Sequence, residues 1–303
     1  MKEIFTRHSG NPIITTDDIP GGCRSVFNPG AVFFNGKYIL MMTVRSMDNL
    51  PKLWVATSCD GINFKAEDHP VDLPKDERYS KYEFCNYDPR ITKIDGEYYV
   101  TYAISGFFGC RIGILKTADF QKFERVSFVH EVGNHNVVLF PEKIRGMYAC
   151  LDRPQHGSIM NMWVSYSPDL IHWGESDAVI ISREGFWDGG KIGAGIPPIK
   201  TPKGWLEIYH GVRESGGSPM YQLGCILMDL EDPSKVIARG RYPILYPKET
   251  HELTGFIPNV VFTAGAILEE KTGKLKLYYG ACDQCICLAT AKLDDIIEAC
   301  YQE

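Results

Sequence analysis

The sequence predicts an all-β protein, a five-bladed β-propeller. One unit recurs five times along 303 residues, and every unit carries a strand–turn–strand pattern. The turns hold Asn35-Gly36, Asp95-Gly96, Arg145-Gly146, Lys203-Gly204 and Thr272-Gly273, spaced 60, 50, 58 and 69 residues apart. Five units in this length leave room for a four-stranded blade each, and propellers run to roughly 4–8 blades. The alternatives are a long β-sandwich and a β-solenoid; a solenoid repeats at a shorter period, about 20–50 residues.

Unit one places Ala31-Val32-Phe33-Phe34 and Tyr38-Ile39-Leu40-Met41-Met42 around Asn35-Gly36, a hairpin dipeptide. Unit two repeats this with Arg90-Ile91-Thr92-Lys93-Ile94 and Tyr98-Tyr99-Val100-Thr101-Tyr102 around Asp95-Gly96. Third strands follow at Leu53-Trp54-Val55-Ala56-Thr57, Arg111-Ile112-Gly113-Ile114-Leu115 and Met162-Trp163-Val164-Ser165-Tyr166. After each, an Asp turn (Asp60, Asp119, Asp169) returns an aromatic ring to the sheet; units four and five are looser there, at Asp229 and Asp294. Residues 294–301 space Ile296, Ile297, Ala299 and Cys300 as a short terminal helix would.

The chain is 44% hydrophobic and 12% aromatic, enough for a sizeable core. It has no linker-like tract, so one catalytic domain over residues 1–303 is expected. A net charge of −6 argues against a nucleic-acid partner, which would need a basic stripe. No apolar run approaches the roughly 18 residues of a membrane span, and residues 1–10 lack a signal-peptide core, so a cytoplasmic location is expected. The ten cysteines then read as reduced thiols. Cys285-Ile286-Cys287 alternates like a strand, and no second pair has zinc-finger spacing, so no metal is expected. The composition is equally compatible with a monomer and a homo-oligomer.

In a propeller the innermost strands converge on the axis, so residues at their ends meet although they lie far apart in sequence. The first strands begin with Phe27-Asn28-Pro29-Gly30, Tyr87-Asp88-Pro89-Arg90, Asn134-His135-Asn136, a Gly-rich stretch around Lys191, and Pro258-Asn259-Val260. The second strands end near Arg45, Ser105, Arg153, His210 and Gly280, with Asp283 three residues further on. Asp88, Arg153, Lys191, His210 and Asp283 therefore fall where they can face one axial pocket. Each also has a plainer reading. Asp88 before proline can cap a turn. Arg153 beside Asp152 can be a surface ion pair, Lys191 a solvated cation and His210 a satisfied core histidine. The glycines around Lys191 allow close backbone approach but do not make a Walker P-loop. Tyr87, Phe107, Phe108, Trp187, Tyr209, Tyr221 and Phe262 lie close in sequence to these polar positions, and aromatic faces beside carboxylates suit sugar rings.

At these residues the sequence resembles glycoside hydrolase family 130, the mannoside phosphorylases and related β-mannosidases. The matching segments are Phe27-Asn28-Pro29-Gly30, Tyr87-Asp88-Pro89-Arg90, Leu139-Phe140-Pro141-Glu142-Lys143-Ile144, Leu151-Asp152-Arg153-Pro154, Lys191-Ile192-Gly193-Ala194-Gly195, Ile208-Tyr209-His210-Gly211-Val212, Asp232-Pro233-Ser234-Lys235-Val236 and Tyr278-Tyr279-Gly280-Ala281-Cys282-Asp283. The resemblance implies a five-bladed propeller with an axial site and Asp88 as catalytic acid, acting through the mannose 3-hydroxyl. It implies inverting attack by phosphate on the anomeric carbon, giving α-mannose 1-phosphate and a shortened acceptor. It assigns Arg153, Lys191, His210 and Tyr221 to phosphate. A further basic position of the family is occupied here by His135, a departure, since histidine need not be charged at neutral pH. Asn28 and Asp283 match residues that hold the mannosyl unit, with Arg45, Tyr87 and Phe262 beside them as further sugar-site candidates. Inorganic phosphate is then a co-substrate, and no other cofactor is expected.

The residue types agree with that chemistry. An inverting hydrolase needs an acid and a base, whereas a phosphorylase needs the acid and cations that gather an anionic nucleophile. Glu207 and Glu214 remain candidate bases for the hydrolase alternative. A non-catalytic sugar-binding propeller is the alternative of another class; it would not need Asp88 or the basic set. The resemblance leaves open a β-1,2 linkage to mannose and a β-1,4 linkage to glucose, mannose or N-acetylglucosamine; chain length and the segment Gly193-Ala194-Gly195-Ile196-Pro197-Pro198 look closest to the mannobiose and oligomannan phosphorylases, which favours β-1,2.

Overall fold

The computed structural model describes residues 3–129, 132–215 and 217–302. Five antiparallel sheets follow one another along the chain. Blade one comprises Ser25–Phe34, Lys37–Arg45, Pro51–Ser58 and Lys65–Ala66. Blade two comprises Cys85–Ile94, Glu97–Gly106, Gly109–Thr117 and Glu124–Val129. Blade three comprises Asn134–Leu139, Tyr148–Pro154, Met162–Ser167 and Gly174–Ile180. Blade four comprises Lys191–Ala194, Gly204–Ser215, Ser218–Met228 and Val236–Arg239, with Ile199–Thr201 added beside its second strand. Blade five takes Val261–Glu269, Lys274–Ala281 and Cys285–Lys292 from the end of the chain. Its fourth strand is Thr6–Arg7, from the beginning.

Both faces of a blade are covered by its neighbours, so strands can be apolar without alternation. In Ile39-Leu40-Met41-Met42 the side chains alternate faces. Ile39 and Met41 enter the core between blades one and two, while Leu40 and Met42 enter the core between blades five and one. Three further clusters fill the remaining seams, and the helix Leu293–Cys300 buries Ile296, Ile297, Ala299 and Cys300 in the seam of blades four and five. The Asp turns hold as expected: one carboxylate oxygen of Asp60, Asp119 and Asp169 accepts two backbone N–H groups at 2.8–2.9 Å. Asp229 of blade four makes the same pair at 2.9 Å, although its sequence looked looser.

Ring closure rests on the short first strand. Arg7 sits against Glu252, with Nε and Nη2 donating at 2.7 and 2.9 Å. Glu252 is fully buried and also accepts from the Tyr279 hydroxyl at 2.8 Å and the Lys248 backbone at 2.9 Å.

Candidate active site

The first strands of blades one, two and three each carry a β-bulge, at Asn28, Asp88 and Asn136, and all three residues have positive φ (48°, 52° and 55°). Asn and Asp tolerate this region better than other non-glycine residues. A bulge re-aims a side chain out of the ladder, here toward the axis. There Asn28, Tyr87, Asp88, His135, Asn136, Arg153, His210, Tyr221, Ile257, Val260, Phe262 and Asp283 line one cavity of about 150 Å³. Nine of the eleven residues proposed for the site from sequence are in this lining. Lys191 stands just behind it, its ammonium 5.1 Å from the centre of the Tyr221 ring. Arg45 lies beside it, its guanidinium 4.4 Å from the Phe256 ring centre.

The carboxyl side of the cavity comes from blades one, two and five. The Asn28 amide donates to Asp88 Oδ1 at 2.8 Å, and the Asp88 backbone N–H donates to Thr43 Oγ1 at 2.9 Å. Asn28 reaches this place because blade five presents Gly280: a Cβ there would lie 2.1 Å from Asn28 Oδ1. Burial pushes the Asp88 carboxyl above its ordinary range, against the opposing pull of Arg90, Asn28 and Arg153. Asp283 is pushed up to about 7, first by burial and then by the charge of Asp88, while Arg45 and Asn28 pull it back. Such paired carboxyls titrate together. Arg90 is buried under the floor, where its guanidinium donates to the carbonyls of Asp88, Ala194 and Gly195 at 2.9–3.1 Å.

The opposite side comes from blades three and four. Arg153 is 93% buried, and its Nη1 lies 3.0 Å from His210 Nε2. Among the described residues its Nε has no hydrogen-bond partner and no carboxylate pairs with it. His210 is fully buried, and burial, then the Arg153 charge, hold its imidazole well below the ordinary value. It is therefore neutral, and its Nε2 accepts from Arg153. On the phosphate side His210 therefore brings no charge of its own and orients the Arg153 guanidinium. Gly193 leaves the room, since a Cβ there would meet His210 Cε1 at 2.7 Å and Arg153 Nη1 at 3.1 Å. His135 is likewise neutral, pushed down to about 4 by burial and by Arg153. Its Nδ1 meets Cys110 Sγ at 3.4 Å and its Nε2 meets Gln155 Oε1 at 3.2 Å. Tyr221 and Phe262 complete the wall; Phe262 packs 4.7 Å from the His210 ring.

The two glutamates considered as bases are elsewhere. Glu207 is fully buried, accepts the Gly195 N–H at 2.8 Å, and burial pushes its carboxyl well above the ordinary value. Glu214 is exposed, near the end of the long second strand of blade four. Asn136 was missed from sequence. The signal was its phase: it is the bulge residue of blade three, as Asn28 and Asp88 are of blades one and two.

The similarity to known proteins runs over nearly the whole chain. Residues 3–302 match the family model for glycoside hydrolase family 130, described as beta-1,4-mannooligosaccharide phosphorylase. The 1,2-beta-oligomannan phosphorylase of Thermoanaerobacter sp. (strain X514) is 36% identical over 284 residues, covering 90% of this chain and 91% of that protein. The beta-1,4-mannooligosaccharide phosphorylase of Ruminococcus albus is 32% identical, covering 98% of this chain and 91% of that protein. The structure of beta-1,2-mannobiose phosphorylase from Listeria innocua, in complex with beta-1,2-mannobiose, superposes with a TM-score of 0.90 at 29% identity, covering 98% of this chain and 99% of that one. Fold, axial residues and full-length similarity converge on one conclusion: the chain belongs to glycoside hydrolase family 130.

Proposed function

We propose that the protein is an inverting β-mannoside phosphorylase that uses inorganic phosphate to release α-mannose 1-phosphate. The observation that carries this reading is Arg153. A buried guanidinium without an anion costs several kcal/mol, by order of magnitude. It sits across the cavity from the carboxyl side, where Asp88 and Asp283 face the same space. A phosphate dianion between Arg153 and Lys191 would supply the missing counter-charge through charge-assisted hydrogen bonds.

The chemistry then divides by sector. Asn28 and Asp283 hold the mannosyl unit. Asp88, whose carboxyl burial raises above its ordinary range, delivers a proton by way of the sugar hydroxyl toward the departing oxygen. Phosphate, held on the far side, attacks the anomeric carbon and inverts it. No separate base is needed, and among the described residues no glutamate lines the cavity. Phosphate is the one co-substrate, with no cofactor. The similarity to oligomannan and mannobiose enzymes favours a β-1,2 linkage. The ten free cysteines suit a reducing, cytoplasmic setting. The test is product analysis on β-1,2- and β-1,4-mannobiose with and without phosphate: mannose 1-phosphate is expected only with it, and phosphate-independent mannose release would favour a hydrolase.

A further inference from the structure

The second and third strands of blade two run beyond the axial pocket. Tyr87 pairs with Ala103, and the ladder continues through Ser105 and Cys110 to Gly106 and Gly109. The two-residue turn at the tip is Phe107-Phe108, and the one left-handed residue it needs is Gly109, at φ 87°. Phe107 is 91% exposed and Phe108 57%. Neither ring is needed to make the turn, and two large aromatic side chains held in solvent at a hairpin tip bring no structural gain, a pattern expected at functional positions. The rings are nonetheless ordered in pairs: Phe107 lies 5.5 Å from Phe84, and Phe108 lies 5.2 Å from Tyr82 in an edge-on contact.

This rim is continuous with the catalytic cavity. Cys110, near the base of the tip, touches both Tyr87 and His135 of the cavity wall. His135 passes to Gln155, and Gln155 shares a second cavity of about 300 Å³ with Val132. Val132 in turn lies against Gly109 of the tip, 2.7 Å from where a Cβ would stand. The tip extends four residues past Ala103, roughly 13 Å at a strand rise of about 3.3 Å per residue.

We infer that the Phe84–Phe107 rim of blade two is a distal sugar platform, which holds the part of a β-mannoside chain beyond the disaccharide being cleaved. The inference rests on the phosphorylase reading and extends it to chain-length preference. Aromatic faces suit the C–H faces of pyranose rings. A second copy of the chain fits less well. The three exposed rings offer roughly 400 Å², whereas a standard interface takes about 800 Å² from each partner.

The experiment compares mannobiose and mannotetraose, in β-1,2 and β-1,4 series, for the wild type, Phe107→Ala, Phe84→Ala and Phe107→Trp. The wild type should favour the tetraose. Phe107→Ala and Phe84→Ala should each lower kcat/KM for the tetraose about tenfold, through KM, as loss of a binding contact does, and leave mannobiose unchanged. Phe107→Trp, which keeps an aromatic face there, should retain the preference. Equal losses on both lengths, or none, would overturn the platform. So would dissociation of an oligomer by Phe107→Ala in sedimentation, which would assign the rim to a second copy. Calorimetric titration with the tetraose separates this idea from the function it rests on. Tighter binding of tetraose than of biose, lost in Phe107→Ala, supports the platform even in a protein that proves not to phosphorolyse either. Equal binding of the two lengths by the wild type overturns it.

Discussion

Asp283 offers a prediction in which function and stability oppose each other. Its carboxyl stands at about 7 in the folded protein, raised first by burial and then by Asp88, against about 3.9 in an unfolded chain. The folded state therefore holds this proton more tightly. Its stabilising contribution is complete below about pH 4 and is lost as pH rises from 4 through 7. Above that, the ionised carboxylate is a standing penalty. A difference of about three pKa units corresponds to a ceiling of about 4 kcal/mol; Asp283 keeps part of its surface open to solvent, and that screening reduces it to about 2–3 kcal/mol. Asp283→Asn keeps the shape and removes the charge. The variant should match the wild type near pH 4 and exceed its unfolding free energy by about 2–3 kcal/mol at pH 8, while losing activity because the mannosyl unit is no longer held. The assay is urea unfolding across this range in phosphate-free buffer, since a bound anion would itself stabilise the native state. A variant less stable than the wild type at pH 8, or a difference that does not grow with pH, would refute the reasoning.

The other predictions follow from named contacts. Asp88→Asn should fold normally and lower phosphorolysis about 10²–10⁴-fold, the usual worth of acid catalysis, measured as kcat on mannobiose; near wild-type turnover would remove Asp88 from the role. Arg153→Ala and Lys191→Ala should raise KM for phosphate about 10–100-fold, the loss of a charged hydrogen bond, with a smaller effect on KM for the mannoside; an equal rise in both would disconnect these cations from phosphate. Glu252→Gln should destabilise the protein by about 2 kcal/mol, because the buried Arg7 then keeps only the more exposed Glu3 as its anion; an unchanged urea midpoint would show that ring closure does not depend on this pair.

Much of the architecture was legible because it is written locally. Asn35-Gly36 and Asp95-Gly96 mark hairpins by turn chemistry alone, and runs such as Ile39-Leu40-Met41-Met42 mark strands covered on both faces. The site was legible where the repeat puts polar residues in phase, at Asn28 and Asp88. Other features depend on long-range packing. Thr6–Arg7 is too short to read as a strand, and its partner at Ala289–Thr290 lies at the other end of the chain. The neutral state of His210 follows from full burial next to Arg153, which no local pattern encodes. Arg90 belongs to the recognised Tyr87-Asp88-Pro89-Arg90 segment, yet its place beneath the cavity comes from carbonyls of blade four, about a hundred residues away.

The central claim is that phosphate, not water, receives the mannosyl unit between the carboxyl and cation sides of the axial pocket. It is tested most directly by following purified protein with β-1,2-mannobiose, and separately β-1,4-mannobiose, with phosphate present and absent, and measuring mannose 1-phosphate and free mannose over time. The account predicts mannose 1-phosphate and free mannose in equal amounts from the accepted disaccharide, and no turnover without phosphate. Release of free mannose at the same rate without phosphate, with no mannose 1-phosphate formed, would contradict it.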